Sequence, residues 1–91
     1  MLKLNLKMEY TLYSFPNCQK CDEVKKYFKE KGIKYDEINA GLGKGRDEFR
    51  EFYYKNKNKI QREKDGAVML PVLVKNGEII QGLEKIISSL D

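Results

Sequence analysis

The sequence predicts an α/β fold of order βαβαββα, a four-stranded mixed sheet with helices on both faces. Three observations carry this. Residues 8–14, MEYTLYS, are β-prone and place Tyr10 and Leu12 on one face, Thr11 and Tyr13 on the other. The next segment switches to helical spacing, with Cys21, Val24 and Phe28 on one stripe and Tyr27 beside it. Near the C-terminus, Asn76-Gly77 separates two short apolar runs, a strong hairpin signal. The first two strands, joined through a helix, are then parallel with a right-handed crossover, and the last two are antiparallel.

Each element has a local reason. Phe15-Pro16-Asn17 breaks the first strand, and a helix spans about 18–31. Asp22 and Glu23 lie in its first turn, favoured by the helix dipole, and Asp22 with Lys26 gives an i,i+4 pair. Gly32 is placed to cap the helix in a left-handed conformation, with Ile33 packing back on Phe28. Residues 34–38 form a second strand. The three glycines of residues 40–45, AGLGKG, mark a flexible loop. A second helix runs from about Arg46 to Lys59, with Phe49, Phe52, Tyr53 and Ile60 on its apolar face. Residues 64–66 are a turn, 69–74 a buried strand and 78–81 its return strand. Residues 83–90 are a short helix with Leu83, Ile86, Ile87 and Leu90 inward.

The 91 residues are 41% apolar and 35% charged, the balance of a single globular domain. It is expected to occupy residues 8–91, with residues 1–7 an N-terminal extension or, alternatively, an early start of the domain. A chain this short buries only about 60% of its unfolded surface, which disfavours a large internal cofactor cavity. The absence of His excludes a histidine base and imidazole zinc ligands. The longest apolar run, Ala67 to Val74, is too short to span a membrane, and the Lys-interrupted N-terminus has no signal-peptide pattern. The expected location is cytoplasmic.

The net charge of +4 is local. Residues 55–64 carry Lys55, Lys57, Lys59, Arg62 and Lys64 against Glu63 alone, and the remainder balances. The ordinary explanation is a solvated helix end or loop, and the other is a patch for an acidic partner. Gly41 to Gly45 fits neither a dinucleotide nor a phosphate-loop pattern. Tyr53 and Tyr54 beside lysines suggest nucleic acid only weakly, since Tyr53 belongs to the helix core.

The chemistry lies in Cys18-Gln19-Lys20-Cys21. A C-x-x-C that follows a strand and opens a helix has the context of a redox pair. Cys18 at the helix N-terminus meets unpaired N–H groups and the positive dipole end, and Lys20 adds positive charge, while Asp22 and Glu23 oppose it. Thiolate is the attacking species, so Cys18 is the candidate nucleophile. Cys21, one turn on, is placed to attack a mixed disulfide and release the product. A structural disulfide over so short a loop constrains the unfolded chain little. Zinc needs four ligands, so this chain would have to dimerise or use carboxylates. No metal or bound cofactor is expected. Pro71, in an apolar run, belongs at a strand start, an edge or a bulge.

TLYSFPNCQKC, the following helix, Gly-Ile-Lys-Tyr at 32–35, Leu-Pro-Val-Leu at 70–73, Asn-Gly-Glu at 76–78 and the final Gly-containing turn together resemble the glutaredoxin-like branch of the thioredoxin fold. The resemblance covers nearly the whole chain from Met8. It implies a glutaredoxin-like thiol–disulfide oxidoreductase, acting as a monomer on protein or small-molecule disulfides, with Cys18 attacking and Cys21 resolving. It also implies a cis Leu70–Pro71 bond facing Cys18, with Leu70 backbone groups pairing to substrate as a short added strand. Gly82 and Glu84 match the Gly and acidic residue that hold the γ-glutamyl end of glutathione. Gln19 and Lys20, between the cysteines, complete the substrate-facing set of Gln19, Lys20, Leu70, Pro71, Gly82 and Glu84. Glutathione or a thioredoxin-reductase-like flavoenzyme would serve as reductant.

The sequence departs from that pattern in places. Gln19-Lys20 replaces the usual Pro-Tyr, Phe15 the usual upstream Lys, Met69-Leu70 the usual Thr-Val, and Gln81-Gly82 the paired glycines. Residues 41–66 are also longer than the equivalent stretch. The opening motif is similar as well to the arsenate-reductase/Spx-like family, but Cys21 to Pro71 is too short for that family's helical insertion and Leu70 stands where it has Arg. A redox-sensing interaction module, docking an acidic protein through residues 55–64, is the reading from a different class.

Overall fold

The sheet has the order β2-β1-β3-β4, with β1 at Tyr10–Ser14, β2 at Asp36–Asn39, β3 at Val72–Lys75 and β4 at Glu78–Gln81. This computed structural model describes residues 9–90. The expected extension at 1–7 and a strand start at Met8 lie outside the described residues. As expected, β1 pairs parallel with β2 and β3 pairs antiparallel with β4, and the structure adds an antiparallel pairing of β1 with β3 that joins the two halves into one sheet. Glu9 joins this frame, donating its N–H to Asn76 Oδ1 at 2.9 Å and accepting from the Asn76 N–H at 2.9 Å.

Alternation along β1 divides the core in two. Leu12 meets Val24, Phe28, Leu73 and Ile86 beneath α1 (Gln19–Lys31) and α3 (Leu83–Leu90). Tyr13, on the other face, meets Ala40, Phe49 and Val72 beneath α2 (Gly43–Lys55). The two-faced arrangement therefore follows from the period-2 pattern read in the sequence. The cap of α1 also follows expectation: Gly32 has φ 68°, its N–H reaches Lys29 O, and the Ile33 N–H reaches Phe28 O at 2.9 Å. The expected Asp22–Lys26 pair does not form. Lys25 instead lies 3.5 Å from Asp22 and 3.0 Å from Glu37, bridging α1 to β2.

Four boundaries differ, each for a physical reason. Strand β2 begins at Asp36 and runs to Asn39, the residues that find partners on β1 from Thr11 to Ser14. Helix α2 starts at Gly43, so residues 43–45 are its first turn and not a flexible loop. A Cβ on Gly45 would overlap the carbonyl of Asn39, so glycine here serves close approach of helix to strand. The same helix ends at Lys55, because the Asn56 side chain donates to Phe52 O at 3.0 Å and competes for a terminal carbonyl. A single 3₁₀ turn, Lys57–Lys59, follows. Strand β3 starts at Val72, since Pro71 has no N–H and the backbone of Met69 is bonded elsewhere.

That elsewhere is a small hairpin absent from the sequence-based reading. Residues 61–69 fold about the expected turn at 64–66, with Arg62 bridging Val68 and the Glu63 N–H donating to Ala67 O at 2.7 Å. No helix among the described residues is long and apolar enough to cross a membrane.

Candidate functional site

The site forms where three chain segments converge: the start of α1, the residues before β3 and the start of α3. Cys18 is the N-cap of α1, with extended backbone at φ −113° and ψ 102°. Its Sγ accepts the N–H of Cys21 at 3.2 Å. An N–H aimed at sulfur, at the positive end of a 13-residue helix, stabilises negative charge there. The two residues are joined as a disulfide with Cα atoms 5.2 Å apart. Cys18 is partly exposed, and Cys21 is fully buried against the core side of α1. One sulfur therefore faces incoming molecules and the other lies behind it.

Leu70–Pro71 is a cis peptide bond, as the resemblance implied. The Pro71 carbonyl accepts the Gly82 N–H at 3.0 Å, tying the approach to β3 to the start of α3. Between them opens a cleft of about 340 Å³. Four of the expected substrate-facing residues line it: Lys20, Leu70, Gly82 and Glu84. Gln19 and Pro71 do not. Gln19 is exposed on the outside of the helix, and Pro71 is buried beneath the cleft wall.

Sequence reasoning missed Glu63 and Met69, which also line the cleft. Glu63 carried a signal, being the one acid in a basic run. Its placement depends on Gln81, which is 5% exposed. The Gln81 side chain accepts the Gln61 N–H at 2.7 Å and donates to Gln61 O at 3.1 Å and Met69 O at 3.0 Å. A buried amide thus holds both arms of the 61–69 hairpin against the sheet, at the position where the family pattern has glycine.

One turn beyond Cys21 on α1, Lys25 donates to Glu37 at 3.0 Å, and Glu37 also accepts from Ser14 at 2.8 Å. Burial pushes the Glu37 carboxyl upward, but the Lys25 and Ser14 hydrogen bonds and the Lys25 charge outweigh it, holding it below the usual carboxylate value. Lys25 is held above its ordinary value, chiefly by the hydrogen bond to Glu37. Burial raises Tyr13, assisted by the charge of Glu48. Among the described residues no group of three or more potential metal ligands occurs.

Comparison with solved structures reveals the same fold. Glutaredoxin 1 from Francisella tularensis, solved in complex with cacodylate, superposes with a TM-score of 0.64 at 22% identity, covering 93% of this chain and 94% of that one. The thioredoxin-like protein BC3987 superposes with a TM-score of 0.63 at 22% identity, covering 93% of this chain and all of its own. A point mutant of BC3987 gives 0.63 at 24% identity, with the same coverage. No curated protein sequence matches the chain. The family model described as glutaredoxin matches residues 10–80, from the first strand through the hairpin. That span takes in the C-x-x-C pair, the cis proline and most of the chain, and on it the protein belongs to the glutaredoxin family, whose fold and dithiol centre are those of thiol–disulfide oxidoreductases in general.

Proposed function

We propose that the protein reduces disulfides by a dithiol mechanism, with Cys18 as nucleophile and Cys21 as resolving thiol. The observation that carries this is the asymmetry of the pair: Cys18 is accessible and receives an N–H on its sulfur, and Cys21 is buried one turn behind. The Cys18 thiolate attacks one sulfur of the substrate disulfide, that S–S bond breaks, and the distal sulfur leaves and takes up a proton. The Cys21 thiol gives up its proton and attacks the Cys18 sulfur. The second substrate thiol leaves, two electrons have passed to the substrate, and the chain is left as its own disulfide. Glutathione or a thioredoxin-reductase-like flavoenzyme returns the electrons.

The lining of the cleft supports a role in holding the substrate next to Cys18. Lys20 and Glu84 offer charges of both signs, with Leu70 and Gly82 lining the cleft between them. In a glutathione-linked cycle, Gly82 and Glu84 would receive the γ-glutamyl end.

Turnover of hydroxyethyl disulfide or insulin tests the reading. Cys18→Ser should abolish turnover. Cys21→Ser should accumulate a mixed disulfide with substrate, visible by mass spectrometry. Full activity of Cys18→Ser would overturn the mechanism, and absence of trapping would remove Cys21 as the resolving thiol.

A further inference from the structure

The 61–69 hairpin has two faces. Successive residues of an extended segment point to opposite sides. Glu63 and Met69 line the cleft described above, and the bridged pair Arg62 and Val68 lines a different recess. This second groove, of about 460 Å³, shares no residue with the first. Its floor is aromatic, from Phe15, Phe49 and Tyr53, with Phe15 and Phe49 edge to face at 5.6 Å. Its rim carries three guanidinium groups, Arg46, Arg50 and Arg62, and no acidic side chain lines it.

These cations are available. Arg46 and Arg50 are exposed on one stripe of α2 and form no ion pair among the described residues. Arg62 is held in place without being neutralised, donating to Gly66 O at 2.9 Å and lying 5.1 Å from the centre of the Tyr53 ring. The Tyr53 hydroxyl is buried with no hydrogen-bond partner among the described residues, so the wall also holds an unused donor. The groove adjoins the cysteine turn. Gly41, at its edge, packs so closely on Pro16 that an added Cβ would lie 2.6 Å from the Pro16 ring, and Phe15 is three residues from Cys18.

We propose that this groove docks an acidic, aromatic-bearing peptide segment of the protein disulfides on which the chain acts. The proposal rests on the oxidoreductase reading for the identity of the partner. Charge complementarity selects an acidic ligand, since three cations with no lining anion repel a basic one. The aromatic floor selects a ligand that also brings a ring or apolar side chain. A volume of about 460 Å³ accommodates a few peptide side chains, and a nucleic-acid strand, which would use the same charges and rings, is the competing occupant that the test separates. A substrate held here would present a neighbouring disulfide to Cys18.

The test uses the full chain and cysteine-free peptides, so that binding is read apart from catalysis. A fluorescein-labelled hexapeptide with three Asp around one Phe is compared, by anisotropy, with its isomer carrying Lys for each Asp. The acidic peptide should bind at least about tenfold tighter. That preference should fall to near parity in the Arg46→Ala/Arg50→Ala double variant, whose fold is checked by circular dichroism. It should also weaken as ionic strength rises from about 0.01 to 0.15 M, where the screening length shrinks from about 30 to 8 Å. Equal binding of the two peptides, a preference that survives in the double variant, or tighter binding of a single-stranded oligonucleotide of equal charge would each overturn the proposal. Turnover of hydroxyethyl disulfide by the unaltered protein is measured alongside. Its failure, with acidic-peptide binding intact, would remove the oxidoreductase reading and leave the groove as a peptide site.

Discussion

Gln81 and Gln61 pair as two strands would, but through a side chain: the Gln81 amide accepts the Gln61 N–H at 2.7 Å and donates to the Gln61 carbonyl at 3.1 Å. A third bond, to Met69 O at 3.0 Å, secures the other arm of the hairpin. One buried residue thereby fixes a segment whose own side chains from Gln61 to Ala67 are exposed.

Gln81→Ala removes all three bonds at once. Water can reach part of the released backbone, so the expected cost is about 1–3 kcal/mol. In a domain of this size that lowers the melting temperature by about 4–8 °C for each kcal/mol. The specific signature is faster hydrogen exchange at the Gln61 and Met69 amides with the β1–β3 ladder still protected. Uniform loss of protection would show that Gln81 supports the whole sheet and not the hairpin.

The reduced protein should alkylate asymmetrically. Iodoacetamide should modify Cys18 at least about tenfold faster than Cys21, because only Cys18 is accessible and stabilised as thiolate by the helix end. Peptide mapping at short times reads the ratio. Equal rates would contradict the assigned order of attack and resolution.

Gly45→Ala tests why α2 begins where it does. In an exposed helix, Ala for Gly stabilises by about 1 kcal/mol. Here the new Cβ would overlap the Asn39 carbonyl, a backbone atom that cannot swing away. Overlap should reverse the sign, with a net loss of about 1–3 kcal/mol by chemical denaturation. A stabilised variant would mean that β2 and α2 can separate without penalty.

Glu37 gives a pH dependence of known sign. Its folded-state carboxyl is held below the ordinary 4.5, so its contribution is fully present above that value and is lost as pH falls through the lowered one. Lys25 is held above its ordinary 10.5, so its share is lost only as pH rises beyond that. Both side chains are about one-third exposed, and the contribution is about 1 kcal/mol or less. Glu37→Gln should reduce stability at neutral pH and flatten the acid limb of the stability curve below pH 4.5. An unchanged acid limb would assign the acid sensitivity to other carboxylates.

How much of this could be read from residues alone depended on what each feature rests on. The two-faced core was legible because Tyr10 and Leu12 alternate with Thr11 and Tyr13 along one strand, and Gly32 ended its helix by purely local geometry. Cys18 and Cys21 were legible because a three-residue separation and a helix start are local too. The start of α2 was not, because Gly45 serves a contact with Asn39 that is made only once the strand and helix are packed. Lys25 chose Glu37 for the same reason, across two elements. Glu63 and Met69 entered the cleft through Gln81, a partner some twenty residues away, and nothing in the alternation of β4 distinguishes a glutamine that grips a neighbouring backbone from one that merely fills its strand position.

The hairpin leaves the two recesses separated by a wall one strand thick, with Arg62 facing one side and Glu63 the other. Side-chain direction there is a matter of odd and even positions, so inserting or deleting one residue between Ile60 and Arg62 would swap the pair. The aromatic groove would acquire a carboxylate and the cleft beside the cysteines a guanidinium, in a single step and with no codon for either residue altered. Length variation in this loop is therefore a sharper instrument for redirecting the protein than any point substitution on its surface.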